Sequence, residues 1–537
     1  MAMANGLLAN DVLLWKAIGA AVWAAAIAVA ASGALGLMLS PATLFSPARL
    51  VGGSFSLSAW LSATALVLAQ APAFAGAAAA LRACEPRPAH LHRLLHWPRC
   101  APASMLIGKL AARLGSVADA ASTAAFFATH ALSAALFLSV FAAAMGNAMG
   151  GARSTLQYSL WLATAYLLHW VHCSQDVLAF PSVQRHRYFR MKQRLPRAAV
   201  QAAQLAAAAF SCAVTTSLLR SNVLGEASPG ASGAPLTLGG GTAALLAGAL
   251  CTFCWLMSSA ALEVVFTERL RPDDYSDRDV LRAMVACLAG KRGGLMQGLA
   301  LHDASLLAGD VGRAALRRAD MFADESGDRW KPVAVACIAE LDAVSAAVGA
   351  ALQQQKPAGG AAGMPSAATQ SHKWNGGLGS SKQQLDALLA VRCGYPRAAQ
   401  AAQALAGFAC ASLKEDRFGV LQLTQPGLGD VLLCLLGALG ATQQLMRVTA
   451  SLVPRQLSLG PWRGNGDAAA WAGCYSSPSV DAAAYALQDT LTVALYRTST
   501  TFGAGLGKVL ADCTGKPAYG SASEAAALLQ QFQRGQA

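Results

Sequence analysis

Six stretches in the first half of the chain hold apolar residues almost without interruption, at about Leu13 to Leu39, Phe55 to Leu81, Ala121 to Met145, Leu156 to Cys173, Ala198 to Leu219 and Gly240 to Val265. A helix rising about 1.5 Å per residue crosses a hydrocarbon core of roughly 30 Å with about 20 residues, so each stretch predicts a membrane span. After Phe266 the pattern changes to amphipathic helices punctuated by breakers. These are predicted at Leu281 to Ala289, Leu295 to Ala308, Val311 to Phe322 behind an Asp310 cap, Trp330 to Leu352, about Leu385, Pro396 to Lys414, and Leu428 to Leu452. A last long helix, capped by Ser479, carries the stripe Val480, Ala484, Leu487, Leu491 and Leu495. Val431 to Leu439 is strongly apolar but only nine residues long, which predicts a core helix and not a seventh span.

The expected fold is therefore all-α: a six-span transmembrane helical bundle over residues 1–266, then a cytoplasmic α-helical domain in two parts, 267–352 and 385–537. The segment 353–384 is rich in Gly, Ala, Ser, Pro and Gln without apolar periodicity, and predicts a flexible linker.

Composition agrees with a membrane half. The chain is 55% hydrophobic and 13% charged, against roughly 25% charged in soluble domains. Of its net +13, a surplus of +10 lies before residue 267, where 16 basic residues face 6 acidic ones. A pI near 9.3 raises nucleic acid as a partner, but cations between spans are better read as an orientation signal and a lipid contact, so no direct nucleic-acid binding is expected. Twelve of the fifteen loop cations crowd into two alternate connections. The first holds Arg82, Arg87, Arg93, Arg99, Lys109 and Arg113; the second Arg185, Arg187, Arg190, Lys192, Arg194 and Arg197. The positive-inside bias then places both loops, both termini and the tail on the cytoplasmic side. From this set Arg93, Arg99, Lys109, Arg113, Arg185, Arg187, Arg190, Lys192, Arg194 and Arg197 are expected at the membrane surface. Leu106, Leu110 and Leu114 share a face of Pro102 to Ser116, which suits either an interfacial helix or one packed on the tail.

Candidate chemistry is sparse. His130, His169, His172 and Glu263 are the ionisable groups within the spans; hydrogen bonding is expected for the histidines, and pairing with Arg269 or snorkelling for Glu263. The Cys251 and Cys254 pair lies inside an apolar span and predicts packing, not a metal or redox centre. Asp303 falls on a mostly buried helix face and needs a cation, expected from Arg313, Arg317 or Arg318. The run Gly503 to Lys508 resembles a phosphate loop only superficially, because Val509 replaces the needed hydroxyl residue and no strand precedes it. Neither a catalytic centre nor a cofactor is expected.

Two stretches of the tail carry a more specific pattern. One runs through Leu299, Ala300, Leu301, His302 and Asp303, then Arg317 and Arg318, Met321 and Phe322, Trp330, and Cys337 and Ile338. The other is Ala411 to Gln422, including Ser412, Leu413, Lys414, Glu415, Asp416, Arg417, Phe418 and Gly419, followed by Asp430, Val431 and Leu432. With six preceding spans, these resemble the transmembrane nucleoporins of the nuclear division cycle (NDC) family, and the helix carrying Tyr485, Leu487, Leu495, Tyr496 and Phe502 is similar to that family's end. The resemblance implies a non-enzymatic membrane anchor of the nuclear pore complex in the nuclear envelope, with a helical tail that docks soluble nucleoporins. Implied partners are an inner-ring RRM-like nucleoporin and the propeller protein ALADIN, besides membrane lipids. In this reading Leu301, Asp303, Arg317, Arg318, Trp330, Ser412, Leu413, Glu415, Asp416 and Gly419 stabilise the tail. The alternative is a polytopic endoplasmic reticulum transporter or lipid-modifying enzyme, which requires polar residues converging at membrane depth.

Overall fold

Apolar runs with few helix breakers fold as long helices, and helices dominate the computed structural model. It describes residues 2–39, 64–82, 110, 113–114, 116–144, 152–178, 180, 185–224, 238–268, 277–290, 294–309, 318–353, 391, 394–452, 482–513 and 515–534. Among these the β-type pairing is one isolated bridge, Arg82 with Val177. The chain divides into two units, one of Asn10–Arg82 with Pro88–Glu268 and one of Arg269–Ala537 with the short segments 1–9 and 83–87.

The first unit contains α1 (Ala2–Leu39) from Asn10 onward, α2 (Ala71–Ala79), α3 (Val117–Ala144), α4 (Ala152–Cys173), α5 (Arg187–Leu224) and α6 (Leu238–Phe266). Helix α6 packs along α5, α4 lies against α3 and α5, and α2 rests on α3. Small residues line these seams, among them Ala73, Ala77, Ala134, Ala163, Ala202, Ala206 and Ala247, so the backbones approach closely. Large apolar side chains point outward instead: Leu14, Trp15, Val22, Leu68, Leu132, Leu156, Leu160, Val200 and Leu219 are all exposed. This inverts the ordinary core-in, polar-out arrangement.

Six described helices are long and apolar enough to cross a membrane, but they are not the six expected. Leu13–Ala31, Val117–Ala143, Arg187–Arg220 and Gly240–Phe266 match the first, third, fifth and sixth stretches. The second is described from residue 64, and its apolar helix Thr64–Ala79 is short. The fourth, α4, has the length, yet Arg153, Gln157, His169, His172 and its hydroxyl residues lower its hydropathy. In their place stand two tail helices, Trp330–Ala350 and Leu428–Arg447. The second of these contains the nine-residue run expected to be too short, because the helix continues to Leu452 through further apolar residues.

Burial distinguishes most of them. In their most apolar stretches, 50% of Trp330–Ala350 and 72% of Leu428–Arg447 are buried, compared with 11% of Leu13–Ala31, 22% of Arg187–Arg220 and 39% of Val117–Ala143; Gly240–Phe266, packed along α5, is the exception in the first unit at 67%. The tail unit is built around α10 (Tyr395–Glu415), which follows α7 (Asp277–Leu288), α8 (Leu295–Gly309) and α9 (Trp330–Gln353) in the chain. After it come α11 (Val420–Leu423), α12 (Leu428–Leu452), α13 (Ala482–Phe502), α14 (Leu506–Ala511) and α15 (Ala522–Gln533). Helix α10 packs on α8, α9 and α13, while α12 packs on α9 and α13. Residues from both expected parts of the tail therefore share one core, including Leu301, Phe322, Trp330, Leu341, Leu405, Phe408, Leu435, Leu491 and Leu495. Gly407 allows α10 to cross α8 closely: a Cβ there would stand 2.6 Å from the Ala308 carbonyl oxygen.

The predicted stripe of the last long helix is buried at Ala484, Leu487, Leu491 and Leu495. The Asp310 and Ser479 caps, the linker, the helix near Leu385, most of Pro102 to Ser116, and the residues Arg93, Arg99, Lys109, Arg313 and Arg317 lie outside the described residues.

Candidate functional site

The C-terminal end of α2, the N-terminal end of α3, the C-terminal ends of α4 and α6, and the N-terminal end of α5 meet at one end of the first unit, and its charge is concentrated there. Carbonyl groups in the last turn of a helix lack intrahelical donors and carry partial negative charge. At the end of α6 they are met by cations from two other helices. The Lys16 ammonium donates to the carbonyls of Val265, Phe266 and Glu268 at 3.2, 2.9 and 2.8 Å. Arg190 donates to the Val264 carbonyl at 3.2 Å and the Thr267 hydroxyl at 2.7 Å. Arg194 grips both carboxylate oxygens of Glu263, each at 2.6 Å, and Arg187 pairs with Glu268.

Two expectations change here. Glu263 pairs with Arg194, because α5 does not begin at Ala198 but at Arg187 and runs through Pro196; Arg269, the expected partner, lies outside the described residues. The expected loop is three further helical turns, which carry Arg187, Arg190 and Arg194 alongside α6. Arg113 also leaves the surface set. It is 1% exposed, donates to Asp176 at 2.5 Å, and lies 5.3 Å over the Trp170 ring. Arg82 completes this second network, with Asp119 at 2.6 Å and Asp176 at 3.5 Å. Removing an arginine from water is tolerable only with such partners.

Below this charged end lies an aromatic layer. Trp170 stacks on Phe126, and His130 sits 4.0 Å from the Phe126 ring centroid and 5.0 Å from both Tyr166 and Trp255. Its Nδ1–H donates to the Phe126 carbonyl at 2.8 Å. Trp255 donates to Ser133 at 3.1 Å, and the Tyr166 and Ser259 hydroxyls share a 3.0 Å bond. His169 instead approaches Gln175 and Cys173 at the edge of α4. The histidines do not converge on one pocket, and among the described residues no three His, Cys, Asp or Glu side chains are grouped to hold a metal. Cys251 and Cys254 are buried in α6, with the Gln70 amide 3.8 Å from the Cys251 sulfur.

The tail gathers its two motif stretches into one corner. Arg318 and Glu415 form a bidentate pair at 2.7 and 3.1 Å, and Arg318 also donates to the Leu307 and Ala308 carbonyls that end α8. Arg318, one of three partners expected for Asp303, is thus bound to Glu415 and to α8, while Asp303 is buried on α8. The Asp416 carboxylate accepts from the amides of Phe418, Val420 and Leu421, and Gly419 takes φ +67° to open α11. Trp330, fully buried, donates its indole N–H to the Pro426 carbonyl at 3.1 Å. The loop before it is held by Asp324, whose carboxyl the Ser326 hydroxyl keeps below its ordinary range, with backbone amides adding to the effect. That contribution is complete above the ordinary carboxylate pKa and fades as pH falls through the lowered value. Leu301 and Ser412 are buried, and Leu413 is exposed.

Replacing Asp416 with Ala leaves three amides of the α10–α11 turn without their acceptor. A loss of about 1–2 kcal/mol is expected, measured as faster hydrogen exchange at Val420 and Leu421.

Sequence reasoning missed a further buried ion pair, between Arg397 and Glu340. They meet at 2.6 Å, and the Gln297 side-chain oxygen accepts from Arg397 at 2.7 Å, so three helices join inside the tail. The pairing crosses 57 residues, and the one local signal is a charged residue on an otherwise apolar helix face.

No protein-family model matches the chain, and no curated protein matches it.

Proposed function

We propose that the chain is an integral membrane anchor and assembly scaffold, with its first unit in the bilayer and its tail unit on the cytoplasmic side. The observation that carries this reading is the contrast between the two units. In the first, large apolar side chains face outward and charge is concentrated at one end; in water each such side chain forfeits about 1.5–3 kcal/mol of burial. In the second, equally apolar helices are turned inward around buried ion pairs, as in a water-soluble domain. The charged end, which holds Arg82 and Arg113 of the first cation-rich connection and Arg187, Arg190 and Arg194 of the second, faces the cytoplasm in this reading.

Within that class, the role is that of a membrane nucleoporin of the NDC type, anchoring the nuclear pore complex in the nuclear envelope and recruiting soluble nucleoporins, including an RRM-like inner-ring protein and an ALADIN-like propeller. Support comes from the two motif stretches, which build one corner through Arg318, Glu415, Asp416, Gly419 and Trp330. His130 and His169 are engaged locally, so among the described residues they give the transporter or lipid-modifying alternative no converging polar site. Imaging of the tagged full chain is expected to give a punctate nuclear rim. Uniform reticular or plasma-membrane signal overturns the nucleoporin role, and a tail sealed from protease in intact membranes overturns the orientation.

A further inference from the structure

The extra three turns of α5 have two faces. Arg187, Arg190 and Arg194 point to the end of α6, on the same side as buried Met191 and Ala198. The rest of the circumference exposes Tyr188, Phe189, Leu195 and Val200, at 53, 58, 39 and 59%. This outward strip is continuous with the apolar surface of Arg187–Arg220. Beside it Arg185, Lys192 and Arg197 are exposed, with no ion pair among the described residues. The sequence has no acidic residue from Val177 to Gly225, and Glu263 and Glu268 are already held by Arg194 and Arg187.

We propose that Arg185 to Val200 is a headgroup-level binding surface for anionic phospholipid, in which Arg185, Lys192 and Arg197 hold lipid phosphate and carboxylate while Tyr188, Phe189 and Leu195 sit among the glycerol and upper acyl groups. The inference rests on the membrane reading of the first unit and adds a lipid class and a site to it. Aromatic rings flanked by cations suit this depth, where one end of the side chain is apolar and the other wet. A nucleic acid would satisfy the cations but leave the aliphatic strip from Leu195 to Val200 facing water. A cation beside an anionic surface contributes about fivefold in lipid association, so three together favour the acidic lipid by roughly a hundredfold over the same contacts with a neutral one.

The test uses the full chain reconstituted in phosphatidylcholine membranes with spin-labelled phosphatidylserine or spin-labelled phosphatidylcholine, reading the motionally restricted lipid fraction. Wild-type protein is expected to restrict phosphatidylserine preferentially. The triple variant Arg185→Gln, Lys192→Gln, Arg197→Gln leaves every pair to α6 in place and is expected to lose the preference. The control Arg153→Gln with Arg220→Gln removes charge from the opposite ends of α4 and α5, and is expected to keep it. A triple variant that still selects phosphatidylserine, or a control that loses selection equally, overturns the site while leaving the membrane reading intact. Absence of restricted lipid around any of the three chains overturns both.

Discussion

Replacing Arg397 with Ala is expected to cost the tail unit about 3–5 kcal/mol, because Glu340 is then left charged and buried without its cation. Gln297 loses its donor in the same step, so α8, α9 and α10 all loosen. The measurement is denaturant unfolding of the full chain in nanodiscs, followed by hydrogen exchange across these three helices. A second variant separates the pair from the volume it fills: Glu340→Leu with Arg397→Met is expected to recover most of the loss, since an apolar replacement of a buried pair is often neutral or stabilising. A single Arg397→Ala change costing less than about 1 kcal/mol would mean that water reaches Glu340.

Trp330→Ala removes a fully buried indole from the junction of α9 with Phe322 and Phe408, whose rings lie 6.1 and 6.0 Å away by centroid. The expected cost is about 3–5 kcal/mol. Trp330→Phe keeps most of the packing but strands the Pro426 carbonyl, and about 1 kcal/mol is expected for that bond alone. If both substitutions destabilise equally, the hydrogen bond and not the ring volume holds the corner; if neither does, the motif stretches are not what keeps this end of the tail together.

How much of this could be read in the chain depends on the range of the interaction. Local periodicity located α8, α9, α10 and α12 to within a residue or so and the end of α7 likewise, though α7 begins four residues before the expected Leu281, because the apolar stripe, the breaker and the turn all act over a few residues. The buried stripe of α13 followed from the same rule. What stayed hidden was pairing at a distance. Glu263 has a cation six residues away in Arg269, yet binds one 69 residues earlier, because an antiparallel helix brings Arg194 alongside it. Arg113 looked like a surface cation because it belongs to a cation-rich connection; its carboxylate partner, Asp176, lies 63 residues on. The start of α5 was also concealed, since a dense run of arginines next to Pro196 reads as a loop until its carboxylates are found on α6.

The order of these residues along the chain carries one more implication. Arg187 and Arg194 are synthesised well before Glu263 and Glu268, the groups that neutralise them in the folded unit. In the membrane reading proposed above, α5 enters the bilayer with its arginines as bare positive charge, which weighs fully on which way the hairpin turns. Once the next helix arrives, the same side chains become neutral rivets. Steering and fastening are thus two successive uses of one set of atoms, divided by the time a ribosome takes to reach the end of α6.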